Sequence, residues 1–126
     1  MDEQLNELSQ AVIGAAIRVH QELGSGLLES VYQRCLFIEL QSLGIRAEVE
    51  VPVEVKYRSQ RIEELGSRLD LLVGGCQLVE LKSVEAVKPV YKKQLLTYLK
   101  LTGCRLGLRI NFNEALLKDG VTRIAN

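Results

Sequence analysis

Long apolar runs, paired cysteines and a charge imbalance are all missing from this 126-residue chain. No apolar run approaches the roughly 18–20 residues of a transmembrane helix, so we expect neither a membrane segment nor a membrane partner. Three cysteines, Cys35, Cys76 and Cys104, form no C-x-x-C pair. Their odd number favours buried, reduced thiols in a cytoplasmic protein and argues against a zinc cluster. The acidic start MDEQLNELSQ is typical of neither a signal peptide nor a transit peptide.

The charge balance bears on the class of partner. Sixteen Lys and Arg residues match sixteen Asp and Glu residues, and this neutrality gives no support to a general nucleic-acid binder. The distribution is uneven, because residues 82–105 carry six basic side chains and one acidic side chain. This segment could hold an anion, although a solvated helix face explains the charges as well.

The size and composition predict one domain over residues 1–126. Apolar residues make up 47% and charged residues 25%, which is typical of a soluble globular protein. The chain is long enough to build a core without disulfide or metal staples. It contains no repeat, low-complexity stretch or linker.

Apolar periodicity divides the chain into helices and strands. Helical spacing predicts helices over about residues 3–23 and 27–43, separated by a GSG break, and a third from Pro89 to about Leu101. The segment AEVEVPVEVKY (47–57) alternates and predicts one half-buried strand, with Pro52 favouring an edge position or a bulge. The apolar face of that strand is expected to consist of Val49, Val51, Val53, Val55 and Tyr57.

Further strands are predicted in the C-terminal half of the chain. They are the two halves of LDLLVGGCQLVELKS (69–83), then RLGLRIN (105–111), and a short terminal strand in GVTRIAN (120–126). The order α-α-β-β-β-α-β indicates an α/β fold in which a mixed sheet is flanked by helices.

The hairpin at residues 69–83 is apolar, yet it carries Asp70, Glu80 and Lys82. Its apolar side chains occupy both parities, which suits strands covered on both faces. Because burial of an unpaired charge costs several kcal/mol, these three groups need each other or a metal ion. Glu80 and Lys82 are two residues apart on one strand, so their side chains leave the same face.

The turn of this hairpin decides whether Asp70 joins the other two charges. A two-residue turn (74–75) sends Asp70 to the face opposite Glu80. A three-residue loop (74–76), or an odd bulge, places Asp70 beside Glu80. The sequence leaves both turns open.

Two carboxylates held side by side repel, and the pair retains a proton unless a cation intervenes. Such oxygen-rich sites suit Mg²⁺ or Mn²⁺. A lysine alongside can orient a water or stabilise the negative charge of a phosphoryl transition state. The alternative is an ordinary strand-end ion pair of Lys82 with Glu80 or Glu85.

Separated motifs resemble a known family. The stretch GLLESVY supplies G-x-x-E-x-x-Y as Gly26, Glu29 and Tyr32. Together with VHQELG, RLDLLV, VELKS, QLLTYLK and GLRINF, in this order, the chain resembles the GxxExxY family of the PD-(D/E)XK nuclease superfamily from about Val12 to Asn126.

The resemblance implies a fold and a set of residue roles. The fold is the α-β-β-β-α-β nuclease core, here with an additional N-terminal helix. The implied metal ligands are Asp70, Glu80 and Glu29, with the main-chain carbonyl of Leu81 as a further ligand. Lys82 corresponds to the catalytic lysine, and Gln94 and Tyr98 correspond to a Q-x-x-x-Y element that orders the site or the nucleic-acid backbone.

Three supporting residues have ordinary alternatives. His20 lies in the family-like VHQELG run, but a lone helical histidine is more often structural. Tyr32 either hydrogen-bonds Glu29 across a helical turn or is a core aromatic with its hydroxyl satisfied. Glu29, with Gly26 just before it, would also favour the helix dipole as a first-turn glutamate.

The sequence therefore predicts a Mg²⁺- or Mn²⁺-dependent nuclease acting on nucleic acid, DNA in the first place. The alternative is a catalytically silent interaction module that keeps the nuclease fold, which the neutral charge favours. Assembly into a homo-oligomer stays open.

Overall fold

Helices cover both faces of a five-stranded sheet in the computed structural model, which describes residues 3–62 and 68–126. The helices are α1 (Glu3–Leu23), α2 (Glu29–Ser42) and α3 (Pro89–Thr102). The strands are β1 (Ala47–Pro52), β2 (Val55–Tyr57), β3 (Gln60–Ile62), β4 (Arg68–Val73), β5 (Gln77–Lys82), β6 (Leu106–Asn111) and β7 (Val121–Ala125), with a 3₁₀ helix at Leu117–Gly120. The predicted α/β class is confirmed.

The main sheet is mixed. Its order is β1-β4-β5-β6-β7, and every neighbouring pair is antiparallel except β5 and β6, which are parallel. The parallel pair is joined through α3, as a parallel connection requires. Pro52 ends an edge strand, as its missing N–H predicts. None of the described helices has the length and apolarity that crossing a bilayer requires.

Two apolar cores lie on opposite faces of the sheet. On one face, α1 and α2 bury Val12, Ala16, Leu36 and Leu40 against Leu71, Val79, Leu108 and Ile110. On the other face, α3 packs Leu95, Tyr98 and Leu99 against Leu69, Leu78 and Ile124. This double coverage explains why β4 and β5 are apolar on both parities. Gly107 lets α3 approach closely, because a Cβ there would lie 3.1 Å from Leu95.

The single strand predicted over residues 47–57 is wrong. The chain leaves the main sheet after Pro52, and β2 pairs with β3 in a separate two-stranded sheet. Of the expected apolar face, Val49 is 41% exposed and Tyr57 is 65% exposed, whereas Val53 is buried. The turn between β2 and β3 places Arg58 and Ser59 at φ 51° and 65°. Glycine or asparagine usually marks such a turn, so the sequence carries no signal for it.

Candidate active site

The hairpin between β4 and β5 closes through a three-residue loop. Val73 pairs with Gln77, and Leu71 pairs with Val79. The loop needs glycine at Gly74, whose φ is 61°. This register excludes the two-residue turn, which would pair Val73 with Cys76. Asp70 and Glu80 follow the last pair of the ladder, and the effect of Asp70 on the pKa of Glu80 reflects the closeness of the two carboxylates.

The cysteines are less buried than expected. Cys76, the last residue of the loop, is exposed, and Cys35 and Cys104 are partly buried. The expectation of buried thiols is therefore wrong at all three positions, most clearly at Cys76. At Cys76 the cause is the loop between β4 and β5, because its three residues are all exposed.

The Asp70 carboxylate bridges to β5 where the two strands separate. Pairing between the strands ends at Leu71 and Val79, and beyond it the main-chain N–H of Leu81 donates to Oδ2 of Asp70 at 2.7 Å. Glu80, between these contacts, is only 8% exposed. Two carboxylates therefore lie at adjacent positions on neighbouring strands, with Glu80 buried and Asp70 half-buried.

Burial dominates the electrostatics of this pair. Desolvation raises the pKa of Glu80 to about 7, and the Asp70 and Glu29 carboxylates add to the shift while Lys82 opposes it. Desolvation also raises the pKa of Asp70, against the Leu81 hydrogen bond, which lowers it. Glu29 and Glu50 raise the Asp70 pKa further. Lys82 is therefore not enough to offset the burial and mutual repulsion of the carboxylates, and both pKa values stay raised.

Lys82 stands against an aromatic ring. Its Nζ lies 4.3 Å from the centroid of the Tyr91 ring, in the first turn of α3. Within residues 3–62 and 68–126, no carboxylate lies within ion-pair distance of Lys82. The strand-end ion pair of Lys82 with Glu80 or Glu85 is therefore absent from the part of the chain that is described. Tyr91 instead holds the ammonium through a cation–π contact.

The G-x-x-E-x-x-Y motif contributes Tyr32 to the core beside the site. Tyr32 is fully buried, and its hydroxyl donates to the Gly24 carbonyl at 2.6 Å and accepts from the Leu27 N–H at 3.2 Å. Its ring stacks on Phe112 at 4.2 Å. Tyr32 is thus a core aromatic with a satisfied hydroxyl, rather than a partner of Glu29. Gly26, in the same loop, has φ 95°, which glycine accommodates without strain.

Tyr32 and Phe112 link the start of α2, where Glu29 lies, to the hairpin. Glu29 is the first residue of α2 and is exposed, and its charge reaches both Asp70 and Glu80. The main-chain N–H of Phe112 donates to the Lys82 carbonyl at 2.8 Å. The stacked ring of Tyr32 therefore sets the start of α2 relative to the end of β5.

Gln94, Tyr98 and His20 have hydrogen-bond partners other than the two carboxylates. Gln94 Nε2 donates to the Tyr98 hydroxyl at 3.3 Å on α3, and no described hydrogen bond joins either residue to Asp70 or Glu80. His20 Nε2 donates to the main-chain carbonyl of Glu114 at 2.8 Å. This bond anchors the end of α1 to the loop after β6, which is a structural contact.

Three residues next to the site were not predicted from the sequence. Gln33 donates to the Asp70 carbonyl at 2.9 Å and to the Glu50 carboxylate at 3.0 Å, and Tyr91 receives Lys82. Gln33 follows the Tyr32 motif directly, but nothing in its spacing marks it. Glu50 belongs to the alternating segment 47–57 and Tyr91 to the basic segment 82–105, and neither pattern marks the residue as part of a site.

The donors present fit a small, hard cation that keeps some of its water ligands better than a cation whose ligands all come from the protein. In residues 3–62 and 68–126, no three His, Cys, Asp or Glu side chains are grouped closely enough to form a metal site by themselves. The acidic ligands available at the hairpin are thus the two carboxylates of Asp70 and Glu80. Mg²⁺ typically binds through one or two carboxylates and keeps several waters, so two carboxylates meet its requirement.

Comparison with known proteins assigns the chain to a superfamily. The family model of the PD-(D/E)XK nuclease superfamily matches residues 6–124. Searches of curated proteins and of solved structures returned no match. The matched span includes the hairpin with Asp70, Glu80 and Lys82, the helices α2 and α3, and most of α1 and of the five-stranded sheet. This chain belongs to the PD-(D/E)XK nuclease superfamily.

Proposed function

We propose that this chain is a metal-dependent nuclease that hydrolyses phosphodiester bonds in DNA with Mg²⁺ or Mn²⁺. The observation that carries the proposal is the shielded pair of Asp70 and Glu80, with Lys82 two residues along β5. Both carboxyl pKa values are raised, and a divalent cation would supply the missing positive charge. Membership of the GxxExxY branch is part of the same proposal and rests on Gly26, Glu29 and Tyr32.

Asp70 and Glu80 would hold the cation, with the Leu81 carbonyl as a further ligand and Glu29 adding negative charge nearby. When bound, the cation would supply Lewis-acid stabilisation of the phosphate and an activated water. The chain supplies the geometry, because the Leu81 N–H fixes one oxygen of Asp70. No hydrogen bond within residues 3–62 and 68–126 occupies the other oxygen, which would be the one to meet a ligand.

The Lys82 ammonium would offset the charge that develops on the phosphate or orient the attacking water. Among residues 3–62 and 68–126 its ammonium contacts the Tyr91 ring of α3 and forms no ion pair with a carboxylate. Gln94 and Tyr98, bonded to each other on α3, would order the nucleic-acid backbone or the rim of the site.

Cleavage assays on single- and double-stranded DNA and RNA, each with Mg²⁺ and with Mn²⁺, test this proposal. Wild type should cleave DNA only when a divalent cation is present, and Asp70→Ala should be inert. Glu48→Ala is the matched control, because Glu48 is an exposed glutamate of the same sheet. Cleavage of RNA alone would show that the substrate is RNA and not DNA. Equal cleavage by wild type and Asp70→Ala would show that Asp70 is not part of the active site.

A catalytically silent interaction module is the second candidate. Leu28, just before α2, is 74% exposed, and Val90, in the first turn of α3, is 56% exposed. Exposed apolar groups of this kind are common where proteins meet, and the net charge of zero does not favour nucleic acid. Protein-partner binding by a wild type that neither cleaves any substrate nor binds a cation would favour the module.

A further inference from the structure

One side chain connects α2 to the main chain of Asp70. The Nε2 group of Gln33, on α2, donates to the Asp70 carbonyl at 2.9 Å and to the Glu50 Oε1 at 3.0 Å. A side-chain amide has two N–H donors on one nitrogen, so both bonds form at once. Because the Glu50 carboxylate only accepts, it fixes which end of the amide faces Asp70.

The contact of Gln33 with Asp70 lies where the alternation of side chains between the two faces of the sheet is interrupted. Val49 pairs with Leu71 and Val51 pairs with Leu69, while Glu50, between the two valines, has φ 52°. That conformation is uncommon for a residue other than glycine. The regular alternation of side chains is interrupted at this point of the two strands.

Packing shows the interruption directly. Leu71 belongs to the core under α1 and α2, whereas Leu69 belongs to the core under α3. Residues two apart on a regular strand point to the same face, so β4 changes face at Asp70. On β1, Ala47 and Val51 divide between the two cores in the same way.

Because β4 changes face at Asp70, strand geometry alone does not fix the direction of its side chain. Two hydrogen bonds, called anchors here, hold the residue. One anchor is the Leu81 N–H, which holds the carboxylate. The other is Gln33, which holds the carbonyl at the opposite end of the same residue. Two anchors from different elements restrict rotation of Asp70 more than either does alone.

We propose that Gln33 is a positioning residue, whose amide, oriented by Glu50, fixes the main chain of Asp70 so that its carboxylate meets Glu80 and the Leu81 N–H. The inference rests on the proposed function only where it concerns cation binding. Its structural part concerns the hydrogen bond between Asp70 and Leu81 and holds with no cation present.

The first test is amide hydrogen exchange at Leu81, measured by NMR without divalent cation. Gln33→Met keeps the length of the side chain and removes its donors. It should accelerate exchange at Leu81 by roughly 2–10-fold, the size expected for loss of about one hydrogen bond. Gln41→Met, an exposed glutamine of the same helix, should leave Leu81 unchanged. A Leu81 rate that is equal in wild type and Gln33→Met would overturn the inference.

The second test is calorimetric titration with Mn²⁺. Loss of a residue that orients a ligand typically lowers metal affinity about 10–100-fold, so Gln33→Met should bind more weakly by this factor and Gln41→Met as wild type does. Faster exchange at Leu81 combined with unchanged Mn²⁺ affinity would overturn the link between Gln33 and the site. If wild type binds no cation while Leu81 responds to Gln33→Met, the positioning role stands and the proposed function fails.

Glu50 variants keep the test decisive if Gln33→Met does not fold. Glu50→Gln and Glu50→Met both remove the charge, but only Glu50→Gln retains an oxygen that accepts from Gln33. Glu50→Met should therefore show faster Leu81 exchange than Glu50→Gln. Equal exchange in the two variants would overturn the orienting role of Glu50.

Discussion

The Leu81 N–H donates to Oδ2 of Asp70 at 2.7 Å, at the point where β4 separates from β5. A strand N–H that would otherwise bond to a neighbouring strand is satisfied by a side chain. The hydrogen bond holds one oxygen of Asp70 and turns the carboxylate toward Glu80. The candidate site is thus built from the end of a β-ladder.

The pH dependence of stability should reflect Glu80. Its pKa rises from 4.5 to about 7 on folding, so the folded state binds more protons between these values. The free energy of unfolding should therefore fall as pH rises from about 4.5 to 7 and level off above, by at most about 3 kcal/mol from this group. The raised pKa of Asp70 acts in the same direction.

Urea unfolding at several pH values, without divalent cation, measures this effect. Glu80→Gln should flatten the profile and be more stable than wild type at pH 8. Glu48→Gln, at an exposed position, should keep the wild-type slope. A wild-type profile that rises between pH 5 and pH 7 would contradict the burial argument.

Lys82→Met should separate catalysis from cation binding. Removal of a group that stabilises transition-state charge commonly costs about 10²–10³-fold in rate. The carboxylates remain, so Mn²⁺ should bind at least as tightly as to wild type, because a neighbouring positive charge is gone. Single-turnover cleavage and calorimetry on the same preparation measure both quantities. Parallel loss of cleavage and cation binding would show that Lys82 is needed for the fold of the site.

Tyr91 should act through its ring rather than its hydroxyl. Tyr91→Phe keeps a face for the Lys82 ammonium, while Tyr91→Leu removes a cation–π contact of about 1 kcal/mol, or roughly fivefold in rate. We expect near-normal cleavage by Tyr91→Phe and a lower kcat for Tyr91→Leu. Equal rates for the two variants would mean that the contact has no influence on Lys82.

Tyr32→Phe should destabilise the fold through its lost hydroxyl. The hydroxyl serves both the Gly24 carbonyl and the Leu27 N–H, so its removal leaves two partly buried groups unpaired, at a cost of about 1–3 kcal/mol. Tyr98→Phe is the control, because the Tyr98 hydroxyl meets only the exposed Gln94 among the described residues. Chemical denaturation should therefore show a larger loss for Tyr32→Phe than for Tyr98→Phe.

The sequence predicted the parts of the fold that depend on periodicity. Helices α1 and α3 carry apolar side chains at regular spacing, and Gly103, with φ 75°, ends α3 where a glycine is favoured. The hairpin register could not be chosen from the sequence, because both turns over Gly74 and Gly75 fit glycine. The structure has the three-residue loop, and one residue of register decides the face of Asp70.

The surroundings of Asp70 could not be predicted for a different reason. The change of face at Asp70 depends on a left-handed backbone at Glu50, and propensity favours glycine or asparagine there. The partners Gln33 and Tyr91 come from helices whose orientation depends on packing with the whole sheet. Their roles are tertiary, and local patterns carry no signal for them.

Calorimetric titration of the purified protein with Mn²⁺, comparing wild type with Asp70→Asn, tests the central claim most directly. Wild type should bind near pH 7.5 and bind more weakly near pH 5.5, because protons compete for Glu80, whose pKa is about 7. Asp70→Asn keeps the shape of the side chain and should lose most of this affinity, whereas Glu48→Gln should keep it. The absence of binding by wild type at pH 7.5, or equal binding by wild type and Asp70→Asn, would contradict a cation site at Asp70 and Glu80.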